Sequence, residues 1–595
     1  PHTNINAKYR SSRLKAYLYG RLVRHLSRNI KEYGRKTGKE IHFYVATHSL
    51  VNYAQWKIMS PESRLLDVDE VDGFIAQVWT GTSGTGNVYE GHYKSRTFET
   101  AYLEYGIMQE LVKGTDKEVW FLQDPVEDNP EHGWEEYADK YKKTLTAALF
   151  WPDVDHYEVC PWPNRVFKGR YPRKVGLAEG MIPTEDMEGA KNIPDTYATF
   201  LAGMIQTLGD MTKEESETEK DAVGVFLADS CMYQRTCPDQ VEHHGQKINL
   251  SGMEDWMNRL IFQKEEERQL LLSMEKMEYA YKECCAFPDW FGLTLPLLKY
   301  GLPIQPVYFD HMVRYEEYLR KYRYLILSYE FMKPESEEFH HKLVEWVKQG
   351  GTLFYIGKDF DPYNYLQEWW QKFSCDTPAQ HLFAEFGMDK EPANGCYRIG
   401  EGNVLVWNEV PALLSVNEAI ADKYRNWIRE GLKMGGYHWN MCNYLSVRRD
   451  PYIVIASMQE SDTGSVYTKE GLFVDLYEDK YPVVERVLVE PGQEKLLFDL
   501  EKIKEDVRII ATAARIENMA CENGQLSIEA KAIDHIQVNM RIRLPGKPED
   551  LCAHTESGKN MELQSVWDEK SRTVLLSYRS NNEKVHITGK LKYES

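Results

Sequence analysis

A short apolar segment that ends in a cluster of acids constrains the fold of this chain most. Residues 118–130 read EVWFLQDPVEDNP, in which a stretch of strand length is followed directly by Asp124, Glu127 and Asp128. Pro125 prevents the stretch from continuing as a helix. The pattern predicts a buried strand whose carboxyl end carries acidic side chains.

Similar strand-like segments flank this stretch, and helical patterns separate them. His42–Ser49 and Asp72–Thr82 come before it, and His156–Phe167 comes after it. Strands that alternate with helices predict a parallel sheet with helical crossovers. Four such strands within residues 1–212 are half of an eight-stranded (βα) barrel. An open doubly wound sheet is the alternative, because four strands form one unaided.

Two further composition changes divide the rest of the chain. After the charge run at 213–220, residues 221–435 alternate again between strands and helices, which predicts a second α/β domain. From 436 to 595 the helical period disappears and short alternating segments are divided by Gly, Pro, Asn and Asp, which predicts an antiparallel β-sandwich. The expected fold class is therefore multidomain α/β with an all-β end.

Charge and composition exclude several classes of function. The net charge of −20 argues against nucleic acid or an anionic membrane as the main partner, because phosphates repel it. No apolar run approaches the length of a membrane-spanning helix. The ten cysteines show no zinc spacing, and no dinucleotide fingerprint occurs. We expect a cytoplasmic protein with reduced thiols, no metal and no organic cofactor.

The order of the predicted domains resembles that of the family 42 glycoside hydrolases. The segment LPLLKYGLPIQPVYFDHMVRYEEYLRKYRYLILSYEFMKPESEEFHHKLVEWVKQGGTLFYIG is similar to their middle domain, in which a strand, a helix ending in EWVKQGG and another strand recur. The resemblance implies a catalytic barrel, a glutamine-amidotransferase-like domain that builds a dimer or trimer, and a β-domain. A β-mannosidase of similar build fits nearly as well. The middle segment lacks a Cys elbow, so we expect it to be catalytically silent.

The same resemblance numbers the barrel strands. If His156–Phe167 is strand 8, then 118–123 is strand 7 and IHFYVATHS is strand 5. The family places an acid/base Glu after strand 4 and a nucleophilic carboxylate after strand 7. Strands 1–4 and the acid/base would then lie before Pro1, so we expect a fragment or a processed chain.

The carboxylates after strand 7 are the candidate catalytic residues. A retaining glycosidase needs two carboxyl groups about 5–5.5 Å apart. Asp124 lies directly at the strand end and is the first candidate for the nucleophile, although the family usually has Glu there. Glu127, three residues on, is the second candidate. The alternative is a turn whose acids face water or cap the next helix.

Several polar and aromatic residues at the same predicted face are candidates for substrate binding. Trp rings at strand ends stack on the apolar face of a sugar, whereas amide, imidazole, carboxylate and guanidinium groups bind its hydroxyls or orient a catalytic acid. Core filling, surface exposure or an ordinary structural role is the alternative for each of them. The candidates are His48, Asn52, Trp79, Glu90, Trp162 and Arg165.

The sequence therefore supports two functions of different classes. The first, implied by the resemblance, is a glycoside hydrolase that cleaves β-linked galactosides or mannosides by a retaining two-carboxylate mechanism, with an oligosaccharide or glycoside as substrate. The second is a non-catalytic carbohydrate-binding or assembly protein derived from such an enzyme. An active amidotransferase is disfavoured by the missing Cys elbow.

Overall fold

Helices dominate the first three quarters of the chain. The computed structural model describes residues 4–78, 80–126, 132–175, 183–212, 223–235, 240–243, 245–252 and 288–592. The helices in these ranges are α1 Ile5–Thr37, α2 Leu50–Trp56, α3 Thr80–Ser83, α4 Thr97–Val112, α5 Trp134–Leu149, α6 Pro163–Phe167, α7 Asp195–Asp210, α8 Ser230–Tyr233, α9 Pro288–Leu298, α10 His311–Arg314, α11 Glu338–Lys348, α12 Pro378–Glu385 and α13 Glu418–Met434.

Strands alternate with these helices at first, and after Met434 the regular elements are almost all strands. They are β1 Tyr44–Thr47, β2 Gly73–Ala76, β3 Asn87–Tyr89, β4 His92–Lys94, β5 Glu118–Gln123, β6 Tyr157–Val159, β7 Arg170–Val175, β8 Pro183–Asn192, β9 Val223–Leu227, β10 Gln240–His243, β11 Gln246–Asn249, β12 Ile304–Tyr308, β13 Tyr324–Leu327, β14 Thr352–Ile356, β15 Gly395–Ile399, β16 Gly402–Trp407, β17 Tyr444–Arg449, β18 Tyr452–Ser457, β19 Tyr467–Asp475, β20 Val483–Val489, β21 Glu494–Asp499, β22 Arg508–Thr512, β23 Arg515–Glu522, β24 Gln525–Lys531, β25 Gln537–Arg543, β26 Lys547–Thr555, β27 Asn560–Met561, β28 Gln564–Asp568, β29 Thr573–Arg579 and β30 Val585–Lys592.

The chain divides into two units, each with its own internal contacts. Unit 1 comprises Pro1–Val78, Thr82–Phe121 and Ser216–Cys442, and unit 2 comprises Trp79–Gly81, Leu122–Glu215 and Asn443–Ser595. The division falls within strand β5. The domain boundaries that we predicted at 212/221 and 435/436 stay a prediction.

The first sheet of unit 1 is parallel, as the alternation of the sequence predicted. β1 pairs with β2, and β2 pairs with β5, with Tyr44 opposite Gly73 and Ala76 opposite Phe121. Because the strands run in the same direction, the residues that follow them emerge at one edge. Within unit 1, His48 follows β1 at this edge.

Helix α1 buries a face that carries few of its large apolar side chains. The apolar positions at helical spacing, such as Leu14 and Leu22, are exposed. The buried face instead carries mostly small residues, among them Ala16, Gly20 and Ser27. Small side chains allow the helix backbone to approach its neighbours closely, and Gly20 lies against Pro61 and Arg64.

A second parallel sheet forms the middle segment of unit 1. Its strand order is β12-β9-β13-β14-β16-β15, with only β15 antiparallel to its neighbour. The strands β9, β12, β13 and β14 are buried along their whole length, whereas the edge strand β15 is largely exposed. Fully buried strands with helical crossovers are typical of open α/β sheets, so the predicted second α/β segment is confirmed.

Unit 2 consists of antiparallel sheets together with helices α5–α7. Its sheets have the orders β17-β18-β21-β19-β20, β22-β25-β29-β28 and β23-β24-β30-β26-β27. The alternating side chains of the last two sheets share one apolar core, in which Val538 and Met540 meet Ile528 and Ile587. The predicted change to antiparallel β-structure at the C-terminal end is confirmed.

The predicted long strand His156–Phe167 is wrong in its extent. The strand β6 covers only Tyr157–Val159, and the residues that follow it turn into helix α6. Cys160 has a φ of 54°, which ends the strand. Pro163 is the first residue of the helix, a position that proline favours because it needs no hydrogen-bond donor there.

Candidate active site

Asp124 is held at the carboxyl end of β5 in unit 2. Its side chain is only 4% exposed, and its Oδ1 accepts a hydrogen bond from the backbone N–H of Val126 at 3.2 Å. The carbonyl of Pro125, the next residue, accepts a hydrogen bond from the hydroxyl of Tyr197 at 3.0 Å. The strand end and the following turn are therefore fixed together, and they place a carboxylate in a buried setting.

Cys160 lies close to Asp124, at the end of the neighbouring strand β6. Its backbone N–H donates to the carbonyl of Gln123 at 2.9 Å. Burial, together with the negative charge of Asp124, raises the pKa of the Cys160 thiol to about 12. The thiol is therefore protonated at neutral pH. The predicted strand His156–Phe167 had placed Cys160 inside a strand, so sequence reasoning missed this residue.

Two buried tyrosines complete the surroundings of Asp124. Burial raises the pKa of both Tyr141 and Tyr197, and the charge of Asp124 adds to the effect. The Tyr141 hydroxyl has no hydrogen-bond partner among the described residues. Both hydroxyls stay protonated. That of Tyr197 already donates to the Pro125 carbonyl, which leaves the Tyr141 hydroxyl available as a donor. Sequence reasoning missed them because a tyrosine on an amphipathic helix has the same pattern as an ordinary core residue.

Trp162 and Arg165 lie at the start of helix α6. Trp162 is 61% exposed, which is unusual for an indole ring, and it precedes the helix as its capping residue. The backbone N–H of Arg165 donates to the Trp162 carbonyl at 2.9 Å, and the Arg165 side chain is half-buried. An exposed ring of this kind offers a flat apolar face to a ligand. The substrate roles of both residues stay predictions.

His48 follows β1 in unit 1 and is held in a neutral state. Its backbone N–H donates to the Tyr53 hydroxyl at 3.0 Å, and its Nδ1 lies 3.2 Å from the carbonyl of Gln77. The ring packs edge-on against Trp56, with 4.9 Å between the ring centroids. Burial lowers the pKa of His48, although the hydrogen bond with Gln77 opposes this shift. Its predicted role in substrate binding stays a prediction.

Asn52 is buried beside the carboxyl group of Glu104, which no sequence pattern had singled out. Its Oδ1 accepts from the Ser49 hydroxyl at 2.9 Å, and its Nδ2 donates to Glu104 Oε1 at 2.5 Å. The other oxygen of Glu104, Oε2, has no partner among the described residues. Burial raises the pKa of Glu104 to about 8, although the hydrogen bond from Asn52 opposes the shift. Asn52 thus faces Glu104, and its predicted contact with substrate stays a prediction.

This raised pKa predicts how the stability of the protein depends on pH. Between about pH 4.5 and pH 8 the folded state keeps a proton on Glu104 that the unfolded state releases. The free energy of unfolding therefore falls as pH rises through this range, by up to about 1.4 kcal/mol per pH unit. We expect Glu104→Gln to remove this loss, so that the variant gains on the wild type by about 3–5 kcal/mol between pH 5 and pH 8.

Urea denaturation at pH 5, 6, 7 and 8 measures this difference. Glu345→Gln, a change at an exposed glutamate of helix α11, is the matched control and should track the wild type at every pH. A gap between Glu104→Gln and the wild type that stays constant from pH 5 to pH 8 would contradict the prediction.

Of the remaining candidates, Glu90 lies in unit 1, and two others lie outside the described residues. Glu90 lies at the tip of the β3–β4 hairpin with a φ of 52°, and its backbone N–H donates to the Ser415 carbonyl. Arg96 holds the same hairpin through the Asn87 carbonyl at 2.8 Å. Trp79 and Glu127 lie outside the described residues. The structure therefore groups Asp124 with Cys160, Tyr141 and Tyr197 in unit 2, whereas His48, Asn52 and Glu90 belong to unit 1.

The carboxyl edge of the second parallel sheet is filled by side chains of its own loops. Chain order reverses on either side of β9, which makes the edge between β9 and β13 the usual ligand crevice of open α/β sheets. There the backbone N–H of Ala228 donates to the sulfur of Met332 at 3.0 Å. Cys231 is fully buried, and burial raises the pKa of its thiol, so it is not a thiolate. The prediction of a catalytically silent middle domain stays a prediction.

Near the same edge, a buried lysine pairs with a buried aspartate, and further buried acids lie close by. The ammonium of Lys333 pairs with Asp361, and both side chains are 0% exposed. Asp361 also accepts from the backbone N–H groups of Phe331 at 2.9 Å and Tyr363 at 2.8 Å. Burial and the charge of Asp361 raise the pKa of the neighbouring Glu330. This network joins the loops that follow β13 and β14.

Two further features are absent from the part of the chain that the structure describes. It contains no group of three or more His, Cys, Asp or Glu residues arranged to hold a metal ion. None of its helices combines the length and the apolar character that crossing a bilayer requires.

Comparison with known proteins gives similarity in structure only. No protein-family model and no curated protein matches the sequence. Among solved structures, a β-galactosidase from Bacillus circulans sp. alkalophilus matches with a TM-score of 0.39 and 10% identity over 77% of this chain. The chain spans 63% of the length of that protein.

Two further matches have similar statistics. The apo exo-carrageenase GH42 from Bacteroides ovatus has a TM-score of 0.34 and 9% identity, with 76% of this chain and 51% of that chain covered. A catalytic mutant of Gan42B, a GH42 β-galactosidase from G. stearothermophilus, has a TM-score of 0.32 and 10% identity, with 73% and 64% covered. In its structure, this chain is similar to glycoside hydrolases of family 42.

Proposed function

We propose that this chain acts as a glycoside hydrolase on β-linked galactosides or mannosides, with Asp124 as the catalytic nucleophile. One observation carries the proposal: Asp124 is a buried carboxylate at the carboxyl end of a parallel strand, surrounded by side chains that stay protonated. Catalytic groups of α/β enzymes lie at such strand ends. A buried carboxylate suits attack on a sugar carbon that becomes cationic in the transition state.

The proposed reaction is a double displacement with retention. The Asp124 carboxylate attacks the anomeric carbon as the bond to the leaving oxygen breaks, and a second carboxyl group gives that oxygen its proton. Water then attacks the glycosyl ester, which releases the sugar and restores the Asp124 carboxylate. Glu127 is the alternative nucleophile, and the proposal leaves the proton donor unassigned.

The neighbours of Asp124 support this role physically. The protonated hydroxyl of Tyr141 and the thiol of Cys160 add no negative charge near the carboxylate. They are also able to donate hydrogen bonds to an oxygen that carries charge. The exposed ring of Trp162 would stack on the apolar face of a sugar ring, and such contacts fix orientation in carbohydrate sites.

A specific observation also favours a second function, non-catalytic carbohydrate binding. Among the described residues, Asp124 is the one carboxylate whose charge acts on Cys160 and Tyr141. Double displacement needs two carboxyl groups, about 5–5.5 Å apart. A protein that kept the sugar-binding face with one acid would bind glycosides without turning them over.

Trapping of the covalent intermediate separates these two functions. We expect 2-deoxy-2-fluoro-β-galactosyl or -mannosyl fluoride to inactivate the protein and to add one sugar to the peptide that contains Asp124. The 2-fluorine slows both steps, whereas the fluoride leaving group speeds formation of the ester, so the ester accumulates. Peptide mass spectrometry locates the label, and the faster reagent identifies the sugar. Labelling of Glu127 would reassign the nucleophile. No labelling by either reagent would support the binding protein.

A further inference from the structure

A cleft of about 610 Å³ lies in unit 2, on one face of the sheet β22-β25-β29-β28. The side chains of its floor share this face and are Gln537, Asn539, Gln564, Ser577 and Arg579. In the register of the sheet, Ser577 of β29 lies between Asn539 of β25 and Gln564 of β28. The volume of the cleft is within the range of sites that bind small molecules. Of the candidate active-site residues that the structure describes, none lines it.

The walls of the cleft come from three segments around this face. They are residues 479–480 between β19 and β20, residues 559–562 around β27, and residues 580–581 after β29. Asn539, which is only 2% exposed, joins the floor to the first wall. Its Nδ2 donates to the carbonyl of Asp479 at 2.7 Å, and its Oδ1 accepts from the Ser577 hydroxyl at 2.7 Å. These bonds fix the floor before a ligand arrives, which lowers the entropy cost of binding.

The lining is polar almost throughout, and this limits what the cleft is able to bind. The apolar residues of the described lining are Met561 and Tyr578, and Tyr578 belongs to the core on the opposite face, where it pairs with Val538. Nucleobases need an aromatic surface to stack on, and peptide side chains need apolar pockets. Strand β29 lies between β25 and β28, so its backbone is not free to pair with a peptide strand. A ligand that is polar over most of its surface fits better.

Hydrogen-bonding groups of both kinds line the cleft. Besides the buried Asn539, four amide side chains of the described lining each offer a donor and an acceptor, namely Gln537, Asn560, Gln564 and Asn581. A sugar hydroxyl also donates and accepts at one oxygen. Met561 adds a small apolar contact that suits the CH groups of a sugar ring. The lining therefore matches a short chain of sugars, which presents many hydroxyls in a small volume.

The charges of the described lining balance. The walls carry two lysines and two acids, which are Lys480, Lys559, Asp479 and Glu562. On the floor, Arg579 pairs with Asp195 of helix α7. The whole chain, by contrast, has a net charge of −20. A lining without net charge favours a neutral ligand over a strongly charged one.

From this lining we propose that the cleft is an ancillary binding site for a neutral oligosaccharide. The amides of Gln537 and Gln564 on the floor and of Asn560 and Asn581 on the walls bind its hydroxyls, and Met561 contacts a ring face. The site holds the sugar without acting on it. This inference does not depend on the proposed hydrolase activity.

Calorimetric titration of the full chain with trisaccharides tests the proposal. The probes are thio-linked β-1,4-galactotriose and β-1,4-mannotriose, whose sulfur bridges resist glycosidases. We expect saturable binding of at least one of them, and hydrogen exchange should slow in the peptides that cover residues 559–564 and 577–581. The floor variant Gln537→Ala/Gln564→Ala should raise Kd at least about tenfold and remove this protection, because it removes two hydrogen-bonding side chains.

Matched variants separate the cleft from the rest of the surface. Gln525→Ala changes an exposed glutamine of strand β24 outside the lining and should leave Kd unchanged. The wall variant Asn560→Ala/Asn581→Ala should also raise Kd about tenfold, so the test stands even if the floor variant fails to fold. Both variants should keep the wild-type kcat/KM on an aryl glycoside, which distinguishes loss of this site from failure of the proposed hydrolase function.

Three outcomes would overturn the proposal. Absence of protection at residues 559–564 and 577–581 with either trisaccharide, or equal binding by wild type and both variants, would show that the cleft does not hold a neutral sugar. Tighter binding of β-1,4-trimannuronate than of mannotriose, weakened by salt, would show that the ligand is acidic. Loss of glycosidase activity in both variants would place these amides in the active site instead.

Discussion

Replacing Asp124 with alanine is expected to lower kcat/KM on an aryl β-galactoside or β-mannoside by about 10³–10⁵-fold. Without the carboxylate no glycosyl ester forms, so the reaction loses its covalent route. Asp124→Asn should lose as much activity. Its amide oxygen still accepts the hydrogen bond from Val126, so this variant keeps the turn while it removes the nucleophile.

Stopped assays of the wild type and both variants measure this loss. Asp139→Ala, which removes an exposed acid paired with Lys143 on helix α5, is the control and should keep full activity. Azide should restore turnover of Asp124→Ala, because the small anion attacks the anomeric carbon in place of the missing carboxylate and yields an α-glycosyl azide. Unchanged turnover in Asp124→Ala would contradict the assignment of Asp124 as the catalytic nucleophile.

The second large effect concerns the buried ion pair of the middle segment. Lys333→Met should destabilise the loops after β13 and β14 by about 3–5 kcal/mol, because it leaves the buried Asp361 carboxylate without its counter-charge. Hydrogen exchange followed by mass spectrometry measures the loss locally. We expect exchange of peptides that cover β13 and β14 to accelerate roughly 10²- to 10³-fold.

Two further variants separate charge from packing in that experiment. Lys358→Met breaks a partly exposed pair with Glu409 and should change stability by about 1 kcal/mol or less. Lys333→Met/Asp361→Asn removes both charges and keeps one acceptor oxygen. The N–H groups of Phe331 and Tyr363 bond to different oxygens of Asp361, so the amide serves only one of them and should recover only part of the loss. Unaltered exchange in Lys333→Met would show that Asp361 tolerates the loss of its partner.

Local patterns predicted the secondary structure of this protein well. Alternating side chains indicated strands such as Tyr452–Ser457 and Thr573–Arg579, and both are present. The apolar stretch before Asp124 is the strand Glu118–Gln123. Period and length carry this information because they follow from the geometry of the strand itself. The longer predicted strand His156–Phe167 was wrong, since two prolines and a positive φ at Cys160 end it early.

The residues that make up the candidate site were much harder to predict from the sequence than the strands and helices. Cys160, Tyr141 and Tyr197 come from three elements that are distant in sequence, and only packing brings them around Asp124. Asn52 was selected for its amide, but the feature that stands out in the structure is the buried Glu104 beside it. The protonation state of a carboxyl or thiol depends on how much water surrounds it. No pattern of neighbouring residues along the chain specifies that.

The sequence by itself determined the order of elements and the position of Asp124 at a strand end. Helix α1 shows the limit of such patterns, because apolar residues at helical spacing indicate a helix but do not specify which of its faces is buried. Tertiary structure decided that the small residues Ala16, Gly20 and Ser27 face inward and that the leucines stay in water. The physical reason is that helical period depends on local geometry, whereas burial depends on which distant surfaces are close enough to exclude water.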